Sequence, residues 1–359
     1  MRQLIYMLIV CLGSISLLAE ANSDTTWTLE QRTPFNVKIQ AVKTILYNQL
    51  TSAQKPWRVC ALVPHLKDAY WIGIDSGLVS QAIRLGINLE LFEAGSYYRK
   101  DQQLKQLEYC LNQPFDAILL GTVDPNLLNR YPGQINKPII ALVNRLDSPI
   151  IKTRVGVNWY QMGWVAGHFI TQSVKQAPPS PPVKLALLTG PKSVGGSHWV
   201  ELGIHDAIAN SAIEISSIRH TDNNRDLYRD QLQKLLNDHI PDYILGSAVA
   251  IEAAIGSLQH KKLTEQVNLV SSYLSPAISR GLYRHKVAFS SDDQVVLQGR
   301  LAIDIVVKEL EGANAFGDIG PQIQALEQGA VQHNVLQNSL APADFYPIYR
   351  VMPPTSLQP

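Results

Sequence analysis

The sequence has almost no excess of charge of either sign. Its 31 Lys and Arg stand against 30 Asp and Glu, a formal net charge of +1, and charged residues make up 17% of the chain. Such a balance creates no field that would gather nucleic acid or an anionic membrane surface, so partners must be argued from sites. Cysteine is scarce, with three in 359 residues, and neither an internal repeat nor a low-complexity tract occurs. The patterns His-Glu-x-x-His, Gly-x-Ser-x-Gly and Cys-x-x-Cys are all missing, which removes the catalytic readings they carry. After the first residues, no apolar run reaches the ~20 residues that a spanning helix needs, so no direct membrane insertion is expected. The full chain of 359 residues is 46% hydrophobic and long enough to bury cores for two domains.

The N-terminus reads as an export signal over residues 1–21. Arg2 is followed by an apolar core from Leu4 to Leu18, then by Ala19-Glu20-Ala21, an A-x-A cleavage pattern. Cys11 lies in that core behind Val10 and would leave with it. The expected compartment is therefore the periplasm, an oxidising space in which Cys60 and Cys110 are expected to pair; the alternative is two buried free thiols. Residues 22–54 form a polar leader, expected to be irregular and to lie across the outside of the first lobe.

From Trp57 the chain alternates strand and helix. Trp57 to Val63 is an apolar run, and Trp71, Ile74, Leu78, Ala82 and Leu85 recur at helical spacing until Gly86 supplies a stop. Ile87, Leu89 and Leu91, the helix of Arg99 to Leu111, and the runs Asp116 to Leu120 and Pro138 to Val143 continue the series. A second series begins at Val155-Gly156-Val157, with a helix from near Asn158, and a Pro-rich loop spans Ala177 to Pro182. It goes on through strands at Val183 to Leu188, Ile213 to Ile218, Tyr243 to Leu245, Leu269 to Ser272 and Ala288 to Asp293, then the helix of Val296, Ile303 and Val307. The last forty residues, rich in Pro, read as extended, with one strand at Tyr346 to Val351. This alternation predicts an α/β protein of two doubly wound parallel-sheet lobes joined by a multi-strand hinge. Residues 55–154 with 291–320 would form one lobe and 155–290 the other, while 321–359 cross back over the hinge. In such sheets ligands bind outside the carboxyl ends of the strands.

Five motifs in order carry a family resemblance: K-D-A-Y-W (Lys67 to Trp71), E-A-G-S-Y (Glu93 to Tyr97), V-G-V-N-W-Y-Q-M-G (Val155 to Gly163), T-G-P-K-S-V-G-G-S (Thr189 to Ser197) and S-Y-L-S (Ser272 to Ser275). From about Lys55 onward the chain resembles the type I periplasmic binding proteins, of which ribose-binding proteins are familiar members. Within them it is similar to sensors of trimethylamine N-oxide. The resemblance implies a clamshell without enzymatic activity or cofactor, whose closure around that ligand is passed to the periplasmic sensor domain of a membrane histidine kinase. It also implies an aromatic cage of Trp71, Tyr97, Trp159 and Tyr273, with Asp68 as a ligand-side carboxylate.

The chemistry agrees with such a cage. A nitrogen bearing three methyls has no N–H to donate, whereas aromatic faces attract its positive charge at ~0.5 to 2 kcal/mol each. The oxide is an acceptor and wants a donor. Each residue has a plainer reading: an aromatic at a helix start is often core, and Asp68 could simply cap the helix. Tyr70 neighbours the cage and is a further candidate ligand contact, with packing as the rival because helical spacing points it about 100° away from Trp71. Asp293 and Gln294 stand where ribose-binding relatives place ligand contacts, with hinge packing as the rival. A sugar or small-solute binding protein feeding an ABC transporter is the alternative function; the strand ends favour the cage, being richer in aromatics than in Arg or Asn. Gly190 to Ser197 has the outline of a phosphate loop but carries Gly196 where Lys is required. His198, Glu201 and His205 share a helical face, better read as solvated than as metal ligands.

Overall fold

A computed structural model describes residues 26–35, 38–176, 181–192, 194–329 and 333–352. The export signal and the start of the leader lie outside the described residues, as does most of the Pro-rich loop. In chain order the strands and helices are β1 (Thr26–Thr33), β2 (Ala41–Asn48), β3 (Arg58–Val63), α1 (Ala69–Leu85), β4 (Asn88–Glu93), α2 (Lys100–Asn112), β5 (Ala117–Leu120), β6 (Ile139–Leu142), β7 (Thr153–Val155), α3 (Trp159–Gln176), β8 (Val183–Leu188) and α4 (Ser197–Ile208). They continue as β9 (Ile213–Ile218), α5 (Arg225–Asp238), β10 (Tyr243–Gly246), α6 (Ala248–Lys261), β11 (Asn268–Ser271), α7 (Pro276–Tyr283), β12 (Phe289–Asp292), α8 (Val295–Leu310), β13 (Gly317–Pro321), β14 (Gln324–Glu327) and β15 (Arg350–Val351).

Two sheets result. One has nine strands in the order β15-β4-β3-β5-β6-β7-β13-β1-β2, the other six in the order β14-β12-β11-β10-β8-β9. Each contains the same parallel core, in which the first strand sits second and its successor goes to the edge, so their carboxyl ends face a common cleft. The chain passes between the sheets after β7, after β12, after β13 and after β14. The alternating α/β reading holds, with element ends shifted by a few residues.

Two expectations need correction. The leader is not irregular: β1 and β2 are antiparallel and join the nine-stranded sheet through β13. Trp27 and Leu29 are buried with Thr28 exposed between them, and the Trp27 and Tyr47 rings stack at 5.9 Å. The hairpin buries only one face at a sheet edge, so its apolar residues are diluted among polar ones and leave a weak pattern in the sequence. The terminal strand shrinks to Arg350–Val351, paired with Glu90 and Leu89.

Local chemistry sets the elements that carry the site. The Asp68 carboxylate accepts the Trp71 N–H and starts α1, while Gly86 ends it at φ 69. Helices α3 and α4 cross at backbone contact: a Cβ on Gly163 would lie 1.9 Å from the Val200 carbonyl oxygen, and one on Gly203 2.0 Å from that of Tyr160. Cys60 of β3 and Cys110 of α2 are bonded and fully buried. By the chain-entropy account, closing a loop of that length contributes about 4 kcal/mol.

The C-terminal segment is pinned to α1 by Asp75, whose Oδ2 accepts the Ile348 N–H at 2.9 Å. Asp75 is fully buried, its Oδ1 has no hydrogen-bond partner, and burial pushes its carboxyl up to about 7. An unfolded Asp titrates near ~3.9. Between about pH 4 and 7 the folded chain therefore holds a proton that the unfolded chain has lost, so this group's contribution to stability declines as pH rises through that window. Asp75→Asn should flatten the decline and leave the variant more stable than the parent at pH 8. Urea unfolding at pH 5 and pH 8 tests this, and parallel slopes for the two proteins would rule it out.

Candidate functional site

At the carboxyl ends of both sheets, between them, lies a small cavity of about 40 Å³. Asp68, Tyr70 and Trp71 reach it from the β3–α1 turn, Tyr97 from the turn after β4 and Asn144 from the end of β6. The other side is made by Trp159 at the start of α3, the 194–197 loop before α4, Ser247, and Ser272 with Tyr273 after β11. All four expected cage aromatics are brought together, along with Asp68.

Tyr70 is also there, contrary to the expectation from helical spacing. Side chains tilt toward a helix N-terminus, so in the first turn two consecutive residues can overhang the same open end. Its ring is 5.1 Å from that of Tyr273, 5.9 Å from Trp71 and 6.0 Å from Trp159. Tyr70 thus joins rings from both sides of the cleft. Asp293 does not line the cavity. It stands behind Tyr70, accepting that hydroxyl at 2.6 Å and the Gln298 amide at 2.8 Å. The turn at Gln294, φ 53, opens α8 immediately after it.

Hydrogen bonds fix the walls. The Trp71 indole donates to the Tyr97 hydroxyl at 3.1 Å, and Asn144 Nδ2 donates to the same oxygen at 3.4 Å and to the Thr122 carbonyl at 2.8 Å. With two donors on its oxygen, the Tyr97 hydroxyl keeps its own proton to give. Asn144 follows Val143, a β-branched residue at φ 63, strained backbone that Arg154 holds through the Val143 carbonyl. Trp159 lies flat on Gly196, where a Cβ would meet the ring at 2.2 Å. Asn144, Ser247 and the 194–197 loop were not expected in the site. The signal was their position at strand ends, shared with residues of no distinctive chemistry.

The ionisable groups of the cavity are shifted toward their neutral forms. Burial raises the Asp68 carboxyl above its usual range, against the opposing pull of His65 at 3.9 Å. Burial also raises the Tyr70, Tyr97 and Tyr273 hydroxyls, so all three are neutral. Asp68 Oδ2 and Trp159 Nε1 are buried without a hydrogen-bond partner, and the Tyr273 hydroxyl faces Ser247 without reaching hydrogen-bonding geometry. Buried polar atoms of this kind mark a place where a ligand or water completes the set.

A vestibule of about 350 Å³ shares Asp68, Tyr70 and Tyr273 with the cavity and carries Lys67, Arg225 and Glu252 at its rim. A groove of about 890 Å³ runs between α5 and α6, away from the strand ends. Its charges already pair with one another, Arg225 with Glu252 and Arg229 with Asp226, each at 3.1 Å. Among the described residues no group of three or more His, Cys, Asp or Glu could hold a metal ion, and no helix is long and apolar enough to cross a membrane.

Two parallel-sheet lobes closing on an aromatic cavity at their hinge define a solute-binding protein. The chain belongs to the family of periplasmic binding proteins and sugar binding domains of the LacI family, whose model matches residues 56–347. It is 35% identical over 298 residues to the periplasmic protein TorT of Escherichia coli K12, covering 83% of this chain and 85% of TorT. Among solved structures it is similar to TorT in complex with the TorS sensor domain in the presence of trimethylamine N-oxide. There the identity is 37%, the TM-score 0.73, and coverage 82% of this chain and 99% of that one. An ABC transporter solute binding protein from Bradyrhizobium sp. BTAi1 with bound bis-tris is 30% identical, with TM-score 0.76, covering 90% of this chain and 98% of its own.

Proposed function

We propose that this protein is a periplasmic sensor that binds trimethylamine N-oxide in the interlobe cavity and signals to a membrane histidine kinase through a sensor domain like that of TorS. It works by binding, not by catalysis. The observation that carries the reading is the cavity itself, about 40 Å³ enclosed by Tyr70, Trp71, Tyr97, Trp159 and Tyr273. At ~10 to 15 Å³ per enclosed water, that is room for about three waters. Trimethylamine N-oxide has about half as many non-hydrogen atoms as a pentose, and a pentose does not fit this closed form.

The walls suit both ends of the ligand. Aromatic faces pack the methyls and attract the cationic nitrogen. The Tyr97 hydroxyl has a proton to give to the oxide. Asp68, with its carboxyl raised by burial, is suited either to share a proton with the oxide or to face the methyls as a carboxylate. Asp293 acts on the ligand through Tyr70, whose ring it orients. The similarity to TorT, seen in complex with the TorS sensor domain, supports the kinase partner. A ligand can bias that kinase only by binding more tightly to one shape of the complex than to another.

Isothermal titration of the mature protein with trimethylamine N-oxide, ribose and glycine betaine tests the reading. The N-oxide should bind and ribose should not, with or without a TorS-type sensor domain present. Tight ribose binding without N-oxide binding would turn the assignment to the transport alternative.

A further inference from the structure

The N-terminal hairpin, outside the stretch that matches the family model, grips the crossover that carries Trp159. Arg32 at the end of β1 donates to the Gly156 carbonyl. Two residues on, the Asn158 side chain donates to the Lys38 carbonyl at 3.1 Å and to Gln40 Oε1 at 2.9 Å. Gln40 in turn donates to Asp318 Oδ2 at 2.9 Å, which ties the loop back to its own sheet. Next to Trp159 on the other side, the Lys38 ammonium lies 4.8 Å over the Tyr160 ring and bonds Asp206 at 2.6 Å, the carboxylate that also accepts the Tyr160 hydroxyl. Both chain neighbours of Trp159 are therefore held by one loop. Behind the Trp159 ring, Gln40, Asn158 and Asp318 help to line a cavity of about 20 Å³.

We propose that Lys38 and Gln40 are positioning residues for the ligand: from the nine-stranded sheet they clamp the start of α3, across the hinge, and so hold the Trp159 ring in the closed cage. Its ligand readout rests on the function proposed above. The clamp works on a wall already formed, so it slows opening and ligand escape and leaves entry unchanged. The Lys38–Asp206 pair is half-exposed and contributes little alone, while the Gln40 bonds are more sheltered, so the two are tested together.

The test uses the mature full chain carrying Lys38→Ala and Gln40→Ala. In the ligand-free protein, amide hydrogen exchange over residues 162–165 should quicken at least threefold, with exchange in α8 and β3 unchanged. Stopped-flow measurements with trimethylamine N-oxide should show dissociation faster by about three- to tenfold and association within about twofold. Lys38→Arg, which keeps the charge, should behave like the parent. Unchanged exchange, or quickening spread evenly over the molecule, would overturn the clamp. If the parent does not bind the N-oxide, the functional reading fails while the exchange measurement still decides the clamp.

Discussion

Trp159→Ala should weaken trimethylamine N-oxide binding by about tenfold to a hundredfold, while the fold survives. One aromatic face contributes ~0.5 to 2 kcal/mol to a desolvated cation, and its removal also opens the cavity to water, which screens the other walls. The cost to stability should be small because Trp159 is only partly buried and rests on a loop at Gly196, not inside a sheet core. Trp71 makes the instructive contrast. It is 1% exposed and its indole N–H anchors Tyr97, so Trp71→Ala mixes lost binding with a core loss of ~3 to 5 kcal/mol. Trp159→Leu refines the result: it keeps an apolar side chain, though a smaller one, but not the quadrupole, and should bind nearly as poorly as alanine, whereas Trp159→Phe should recover most of the affinity. Calorimetry on the three variants decides the point. An alanine variant within about twofold of the parent would remove Trp159 from the cage.

The positions of Trp71, Tyr97, Trp159 and Tyr273 were legible because one rule covers all four: each follows the carboxyl end of a strand in the alternating strand and helix series. Tyr70 was not, because helical spacing describes the middle of a helix and fails in its first turn. Asp293 was placed at the right strand end, yet which way its side chain points depends on the turn at Gln294, and that is set by tertiary packing. Asn144 and Ser247 carry no chemical signature of a site; only the closed structure singles them out. The hairpin went unseen because Trp27, Leu29 and Tyr47 bury a single face at a sheet edge, with exposed Ile39, Val42 and Leu46 blurring the alternation. Its grip on the crossover depends on contacts between residues more than a hundred positions apart.

Asp318→Asn should be the most damaging single substitution of a polar residue at the hinge, costing about 3 to 5 kcal/mol. Asp318 meets Arg154 at 2.9 Å and Arg32 at 3.1 Å, all three side chains nearly inaccessible. Burial by itself would raise its carboxyl, but the Arg154 and Arg32 guanidiniums together with Gln40 outweigh that and hold it below the usual carboxylate range. A depressed pKa contributes stability above the unfolded value near ~4 and loses it as pH falls below that point. The asparagine variant should therefore lose stability at pH 7 and show a flatter acid limb in urea unfolding. Neutralising Asp318 leaves Arg154 buried without a carboxylate and Arg32 with Glu30 alone, at 3.4 Å, so a second change, Arg154→Met, should recover part of the loss, less what the Val143 and Val157 carbonyls lose with it. If Asp318→Asn costs less than about 1 kcal/mol, the network is solvated in solution and does not hold the hinge. If the loss is large but Arg154→Met restores none of it, the bonds of Arg154 to the Val143 and Val157 carbonyls and of Arg32 to Gly156, not the charge balance, are what keep the crossover in place.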